Sequence, residues 1–161
     1  MLTANIKIAL DRVEKDEEVY LAEVPKHATY GDAGADVKAF LPDGPITLEP
    51  DAVVMVPTGI RVAVPTGLAM LVIPRSSMGK RKYTIPNSPG LVDPPYRGEV
   101  KVLVHNQTQE PLTINHRDRV GQLMVVDAYQ QSYEVVADVS LLGETLRGEG
   151  GFGSTGEDLN G

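Results

Sequence analysis

Short apolar runs separated by glycine and proline turns restrict the fold of this chain more than any other feature. Val100, Val102 and Val104 stand at alternate positions, which is the period of a half-buried strand. Residues 6–8, 52–56 and 67–73 are also predicted as strands, and residues 120–126 form another apolar run. Short strands at intervals of about 8–12 residues with turn signals between them predict an all-β sandwich or barrel.

The tetrapeptide Val-Pro-Thr-Gly occurs twice, at residues 56–59 and 64–67. Proline at the second position and glycine at the fourth are typical of β-turns. The repeat therefore predicts a separate strand over residues 60–64, between two chain reversals. Helix is predicted at only two places, a stretch after Ser76 and Ser77 and a turn or two near residues 139–142.

Composition excludes several classes of protein. The chain has 161 residues and no cysteine, so disulfides, thiolate metal sites and cysteine nucleophiles are excluded. With two phenylalanines and no tryptophan, the core is expected to be aliphatic. A formal charge of −7 argues against a nucleic-acid groove built on bulk charge. No apolar run approaches the roughly 20 residues of a membrane span, so a cytoplasmic protein is expected.

The last part of the chain differs in composition from the rest. From Gly143 onward, glycine, hydroxyl and charged residues predominate, and such a segment cannot bury enough apolar surface to pack. We therefore predict one β domain over residues 1–142 and a flexible tail over residues 143–161. The tail also carries one arginine and one phenylalanine, which an inert linker does not require.

Cations are concentrated in residues 74–82 of an otherwise acidic chain. This segment is consistent either with a solvated basic turn or with an anion-binding site. In the second case, hydroxyl and backbone N–H groups would satisfy phosphate oxygens, and arginine would add charge-assisted hydrogen bonds.

A carboxylate followed by two prolines and an aromatic residue is the other unusual segment. Pro94 pushes Asp93 towards extended geometry, and Pro95 does the same to Pro94, so the direction of the carboxylate is fixed. An aspartate is ionised at neutral pH and can accept a proton from water. Tyr96 offers a flat face to a sugar or a base.

Five segments of the chain together resemble the five motifs of the homotrimeric dUTPase family. They are DAGADV (32–37), PRSS (74–77), GLVDPPYRG (90–98), RVGQL (119–123) and RGEGGFGSTG (147–156). The resemblance runs from about residue 29 to residue 156. It implies a jelly-roll-like β subunit and a homotrimer with shared active sites. It further implies Mg²⁺-dependent hydrolysis of dUTP to dUMP and pyrophosphate, which limits uracil in DNA and supplies dUMP for dTMP synthesis.

The resemblance assigns roles in the third motif and just before it. Asp93 matches the catalytic carboxylate, which would deprotonate a water for attack on the α-phosphorus. Tyr96 matches the aromatic residue that packs on the deoxyribose and leaves no room for a 2′-hydroxyl. Backbone groups of Gly90 and Val92, with the Asn87 side chain, match the edge that reads uracil.

Other roles implied by the resemblance concern the phosphates. Arg75, Ser76 and Gln122 match phosphate contacts. Ser77 stands where many family members have glycine, so either an extra hydroxyl or a small change of the backbone is expected in that part of the substrate site. Asp36 matches the first-motif carboxylate, which would support the site and the waters of a Mg²⁺ held mainly by the triphosphate.

The tail acquires a closing function from the same resemblance. Arg147 would pair with the γ-phosphate, and Phe152 would stack over the uracil. Ser154 and Thr155 would cap the phosphates, and Gly153 would let the backbone approach the substrate.

Two alternatives remain open at this point. The first is dCTP deaminase, which shares the fold but looks to need a glutamate five residues beyond the third-motif glycine; Leu103 stands there, and it cannot move protons. Ammonia release from dCTP would favour that reading. The second is a trimer that senses dUTP and acts through a partner, which binding to partners with and without a dUTP analogue would test.

Overall fold

The computed structural model describes residues 3–150. It divides the chain into two compact units, with the boundary between Tyr129 and Gln130. The strands of the first unit are β1 (Lys7–Leu10), β2 (Arg12–Lys15), β3 (Glu18–Leu21), β4 (Ala35–Lys38), β5 (Ile46–Leu48), β6 (Val53–Ala63), β7 (Leu68–Ile73), β8 (Tyr83–Thr84), β9 (Gly90–Val92), β10 (Glu99–Asn106), β11 (Leu112–Ile114) and β12 (Arg119–Asp127). A single α-helix of this unit, α1, spans Ser76–Lys80.

Two four-stranded antiparallel sheets form the first unit, in the orders β1-β6-β10-β8 and β4-β12-β7-β9. Two antiparallel pairs, β11-β5 and β2-β3, complete it. The predicted all-β, jelly-roll-like class is confirmed. The second four-stranded sheet, which we call the β4–β9 sheet, carries Asp36, Gln122, Gly90 and Val92 of the predicted site residues.

The core is aliphatic, as the composition predicts. Val100, Val102 and Val104 of β10 are buried at alternate positions, while Lys101 between them is exposed. The opposite sheet contributes buried residues such as Val72 to the same cluster. Burying such side chains stabilises the fold by roughly 1.5–3 kcal/mol each. Alternation along the strands therefore fixes which face of each sheet points inward.

One predicted turn is wrong. Residues 56–59 do not reverse the chain but lie inside β6, which is continuous over Val53–Ala63. The strand absorbs Pro57 and Gly59 because the pairing with β10 shifts register there, from Glu99↔Arg61 to Lys101↔Pro57. The second copy of the tetrapeptide does turn, and Leu68 N donates to Pro65 O at 3.2 Å.

Both helix predictions are confirmed. Helix α1 follows Arg75, and in the second unit a 3-10 helix spans Val139–Leu142. The Asp138 carboxylate caps that 3-10 helix, accepting from Ser140 N at 2.9 Å and from Ser140 Oγ at 2.6 Å. No helix within residues 3–150 is long and apolar enough to cross a membrane.

Candidate active site

The register of the β4–β9 sheet brings residues from three predicted motifs to one end of the sheet. Gln122 on β12 stands opposite Asp36 on β4 and opposite Ile73 on β7. Arg75 follows β7 by two residues and is extended, with φ −80° and ψ 150°. Extended geometry carries its side chain back towards the β4–β12 pair. Residues distant in sequence thus meet because their strands are neighbours.

Asp36 is the centre of this group. Its Oδ1 accepts from Arg75 Nε at 2.8 Å and from Gln122 Nε2 at 3.4 Å, and its Oδ2 accepts from Arg119 Nη1 at 3.2 Å. The side chains of Asp36 and Arg75 are 11% and 19% exposed, whereas that of Arg119 is 53% exposed. The Asp36–Arg75 pair is therefore the more shielded from solvent, and Arg119 contributes mainly as an exposed charge.

The protonation of Asp36 follows from these contacts. Burial favours the neutral carboxyl, but the hydrogen bonds from Arg75, Gln122 and Arg119 and the charge of Arg75 favour the carboxylate more strongly. The pKa of Asp36 consequently lies below its ordinary value. Asp36 is ionised at neutral pH and holds Arg75 in one orientation.

Arg75 also contacts helix α1. Its Nη1 donates to Ser77 Oγ at 3.1 Å, so Ser77 orients the guanidinium that Asp36 anchors at Nε. Ser76, at the start of the helix, is exposed. A cleft of about 360 Å³ adjoins these residues. It is lined by Arg75, Ser77, Arg81, Tyr83, Leu112, Thr113, Ile114, Asp118, Arg119 and Val120.

Strand β9 forms one edge of the same sheet. Gly90 pairs with Val72, and Val92 pairs with Met70. The Val92 side chain is buried, so its backbone is the part of this residue that can face a ligand. A Cβ on Gly90 would lie 3.3 Å from Asn87 Nδ2, so the Asn87 side chain packs against the Gly90 backbone.

A tight turn after β9 presents Asp93. Tyr96 N donates to Asp93 O at 3.1 Å, which closes a four-residue turn around the two prolines. Arg97 Nη1 supports this turn by donating to Pro94 O at 2.6 Å and to Tyr96 O at 2.7 Å. Asp93 is exposed, and within residues 3–150 no side-chain hydrogen bond or ion pair engages its carboxylate. The carboxylate is thus open to water.

Tyr96 has a defined orientation although it is 45% exposed. Its Oη donates to Glu99 O at 2.9 Å. A Cβ on Gly98 would lie within about 3 Å of three atoms of this ring, Oη, Cζ and Cε2. The absence of a side chain at Gly98 therefore permits the position that the ring adopts.

The structure does not bring Asp93 and Arg75 together. Val92 stands opposite Met70 on β7, and because the two strands are antiparallel, Asp93 falls level with Ala69. Arg75 lies six residues beyond Ala69 along the chain. At about 3.3 Å per extended residue, the two backbone positions are about 20 Å apart along the strand direction. In one copy of the chain, the candidate phosphate-binding residue Arg75 and the candidate catalytic carboxylate Asp93 therefore lie at separate places.

The tail residues fall largely outside the described part. Of them, Arg147 is described: it is exposed, and its Nε donates to Gly150 O at 2.8 Å within the second unit. Phe152, Gly153, Ser154 and Thr155 lie outside the described residues.

Sequence reasoning missed two residues. Arg119 belongs to the fourth motif, for which the sequence predicts a role only at Gln122, yet Arg119 contacts Asp36. The sequence predicts no role for Glu99 either, although its carboxylate accepts backbone N–H groups of β6. The signal for Arg119 was its charge three positions before Gln122; no sequence signal marks the Glu99 contact, which depends on an irregular register.

A direct metal cage is not formed within residues 3–150, where no cluster of three or more His, Asp or Glu side chains could hold an ion. Asp36 is the carboxylate nearest the candidate phosphate residues, and it already accepts three hydrogen bonds. Being ionised, it retains capacity to accept one more from a metal-bound water. The donor set therefore fits a Mg²⁺ held through water rather than bound directly.

Comparison with known proteins identifies the family. The dUTPase family model matches residues 21–156. The deoxyuridine 5'-triphosphate nucleotidohydrolase of Roseobacter denitrificans is 45% identical over 136 residues, which cover 84% of this chain and 88% of that protein.

Solved structures show the same fold. The dUTPase of Staphylococcus bacteriophage 80alpha, solved with dUPNHPP, has a TM-score of 0.80 and 21% identity, covering 96% of this chain and all of that one. A mutant dUTPase from phage phi11 of S. aureus, described with a structural Mg(II) ion, has a TM-score of 0.70 and 19% identity, covering 85% and 99%. The predicted family and enzyme class are confirmed: the chain belongs to the dUTPase family of dUTP diphosphatases.

Proposed function

We propose that Asp93 is the general base in hydrolysis of dUTP to dUMP and pyrophosphate. Its carboxylate takes a proton from a water whose oxygen attacks the α-phosphorus, and the bond from that phosphorus to the bridging oxygen of the β-phosphate breaks. The free carboxylate on a turn held by two prolines and Arg97 supports this role. A positioned general base contributes about 10²–10⁴ in rate.

Arg75, Ser76, Ser77 and Gln122 bind the phosphates in this proposal. Asp36 and Ser77 engage Nε and Nη1 of Arg75, which leaves Nη2 for an oxyanion. A guanidinium anchored in this way loses little side-chain entropy on binding, so it pairs with phosphate at low cost. The exposed hydroxyl of Ser76 adds a neutral donor.

Strand β9 and the following turn bind the nucleoside. The outer edge of β9 has no strand partner among the described residues, so its backbone N–H and C=O groups are available to the edge of uracil. Gly90, Val92 and Asn87 form this reading edge. Tyr96 packs on the deoxyribose and leaves no space for a 2′-hydroxyl.

Mg²⁺ is the proposed cofactor, with Asp36 as its indirect partner through water. When bound, the ion neutralises charge on the phosphates and polarises a phosphoryl oxygen. Such a cation keeps several waters and few protein ligands, which agrees with the hydrogen-bonded state of Asp36. The ionised Asp36 holds Arg75 whether or not the metal is present.

The active sites are shared between subunits of a homotrimer in our proposal. The backbones of Arg75 and Asp93 are about 20 Å apart along the sheet, and this separation favours a site to which two copies of the chain contribute. The first unit also has a groove of about 1020 Å³ whose lining includes Ile8, Leu68 and Met70. An apolar groove of this size supports a contact between subunits.

The tail completes the site in this proposal. Arg147 pairs with the γ-phosphate and Phe152 stacks on uracil, while Gly153, Ser154 and Thr155 approach the phosphates. Ordering such a glycine-rich segment costs roughly 1–2 kcal/mol per residue, so closure should depend on the full triphosphate.

We place this enzyme in the cytoplasm, where removal of dUTP limits uracil in DNA and the product dUMP serves dTMP synthesis. The membership of the chain in a nucleotide-hydrolysing family supports this location.

The observation that carries the proposal is the Asp93 carboxylate, which is held on a tight turn and has no side-chain partner between residues 3 and 150. Pyrophosphate release from dUTP, dTTP, dCTP and UTP tests it, with Asp93→Asn assayed alongside. We expect turnover of dUTP only, and in Asp93→Asn a loss of about 10²-fold or more with retained binding of a non-hydrolysable analogue. Asp16→Asn, the same change of charge in the β2–β3 turn, serves as control. Near-normal turnover in Asp93→Asn would overturn the role.

A further inference from the structure

The Glu99 side chain fills a gap in the backbone pairing of β6 and β10. Between the pairs Glu99↔Arg61 and Lys101↔Pro57, one residue of β10 faces three residues of β6. N–H groups at such a bulge lose their ladder partners. Glu99 Oε1 accepts from two of them, Thr58 N at 3.1 Å and Gly59 N at 2.8 Å.

This carboxylate is shielded and anchored. The Glu99 side chain is 15% exposed, so the two N–H groups it binds would remain partly unsatisfied without it. Its other oxygen, Oε2, lies 3.6 Å from Lys101 Nζ, and the Lys101 side chain is 44% exposed. An ion pair that open contributes little, so the backbone contacts are what fix Glu99.

The main chain of the same residue supports Tyr96. Tyr96 Oη donates to Glu99 O at 2.9 Å, and its ring lies against Gly98. Glu99 is thus bound to β6 through its side chain and to the tyrosine ring through its carbonyl. Between Asp93 and Glu99 there is no regular strand, so these contacts hold that segment in place.

We infer that Glu99 is a positioning residue for sugar selection: by fixing the start of β10 to the bulge of β6, it fixes the carbonyl on which the Tyr96 ring rests. The inference depends on the proposed contact of Tyr96 with the deoxyribose. Discrimination against a 2′-hydroxyl requires a ring that cannot retreat, because an aromatic face that moves by the width of one oxygen admits the ribonucleotide. Glu99 is the residue that prevents this retreat.

The contact geometry also specifies which substitutions preserve this function. Both N–H groups donate to one oxygen, so the carbonyl oxygen of a glutamine can replace Oε1. Alanine removes the acceptor. In Tyr96→Phe the bulge stays intact but the link from the ring to Glu99 O is lost.

The test is the ratio of kcat/KM for UTP to that for dUTP, together with the Tm, in five variants. They are Glu99→Ala, Glu99→Gln, Tyr96→Phe, Tyr96→Ala and Lys101→Ala. We expect the ratio to rise about fivefold or more in Glu99→Ala and in Tyr96→Phe, the effect of losing one hydrogen bond. Glu99→Gln and Lys101→Ala should keep the wild-type ratio.

The outcomes distinguish the role of Glu99 from the proposed contact of Tyr96 with the deoxyribose. A changed ratio in Tyr96→Ala with an unchanged ratio in Glu99→Ala overturns the role of Glu99 and leaves the role of Tyr96 standing. An unchanged ratio in Tyr96→Ala overturns both. If Glu99→Ala does not fold, an unchanged ratio in Tyr96→Phe overturns the inference, since that variant cuts the same link without touching β6. A fall in Tm of Glu99→Ala with a constant ratio shows a structural role only and likewise overturns it.

Discussion

The Asp36 carboxylate lies 2.8 Å from Arg75 Nε, and the two side chains are among the least exposed ionised groups of the candidate site. This pair joins the first and second motifs, which are 39 positions apart in the sequence. Because the pair fixes the guanidinium before any ligand binds, its loss should affect both binding and stability.

Asp36→Asn tests this relationship. We expect unfolding free energy to fall by about 2 kcal/mol at pH 7, since charge-assisted hydrogen bonds are lost, and kcat/KM for dUTP to fall about 10- to 100-fold through misplacement of Arg75. The folded pKa of Asp36 is depressed, so its stabilisation is present above the ordinary value near 4 and is lost as the pH falls through the folded pKa. Urea unfolding of both proteins should therefore show a difference at pH 7 that shrinks below pH 4; a constant difference would contradict this account.

Gly98→Ala tests whether the space beside Tyr96 determines the position of the ring. A Cβ there would lie within about 3 Å of the ring, so the ring must move. We expect the ratio of UTP to dUTP turnover to rise about tenfold, on the scale of one packing defect of ~1.4 kcal/mol. Gly79→Ala is the control, because a Cβ at Gly79 meets nothing within 4 Å. An unchanged ratio in Gly98→Ala would show that the ring has room to spare.

The strands could be predicted from sequence where burial alternates locally. In β10 the alternation of Val100, Val102 and Val104 decides both the element and its inward face. The two copies of Val-Pro-Thr-Gly could not be distinguished in this way. The first copy lies inside β6 because Thr58 N and Gly59 N donate to the Glu99 carboxylate, about forty positions away in the sequence. No pattern within the tetrapeptide predicts that contact.

The candidate site, like the strands, could be predicted from the sequence only in part. The residue types of its five motifs were recognisable in sequence, whereas their distribution over two places on one sheet was not. Arg75 and Asp93 are separated because β7 and β9 run antiparallel with Val92 opposite Met70. Register is set by which faces are buried over the whole sheet, so it follows from the packed fold and not from either segment alone.

His116 should give the fold a pH dependence near neutrality. Its Nδ1 accepts from Leu41 N at 3.0 Å. Protonation of Nδ1 would turn it into a donor that faces the Leu41 N–H, and the hydrogen bond would be lost. Burial, with the charge of Arg117, lowers the pKa of His116, and Glu23 opposes this less strongly. Because the unfolded chain binds the proton first, stability should fall as the pH drops from about 6.5 through the lowered folded pKa.

His116→Asn keeps an acceptor near the Nδ1 position without titrating. We expect it to cost about 1 kcal/mol at pH 8 and to flatten the decline of stability between about pH 7 and pH 5. Chemical unfolding at several pH values, with the wild-type protein beside it, measures both effects. Equal slopes for the two proteins would assign the pH dependence to other groups.

Gly59→Ala tests the bulge of β6. Gly59 has φ +66°, and a Cβ there would lie 2.8 Å from Ala22 Cβ and from Phe40 Cδ1. We expect a loss of about 3 kcal/mol, from backbone strain of roughly 1–2 kcal/mol and core overpacking of a similar size. Gly67→Ala, at φ +86° with nothing within 4 Å, should show the strain alone. Equal losses in the two variants by thermal or urea unfolding would show that the core accommodates the added methyl.

Truncation after Leu146 tests the closing function of the tail. The variant lacks the entire fifth motif, so we expect a folded trimer by size-exclusion chromatography but a kcat reduced about a hundredfold or more, because transition-state charge loses preorganised donors. Truncation after Gly156 keeps the motif and should keep activity. Arg147→Ala should fall between them if the γ-phosphate contact is one of several in the tail. Near-normal kcat after truncation at Leu146 would mean that residues 1–146 already hold every group the reaction needs, and the tail would then act on release or partner binding instead of chemistry.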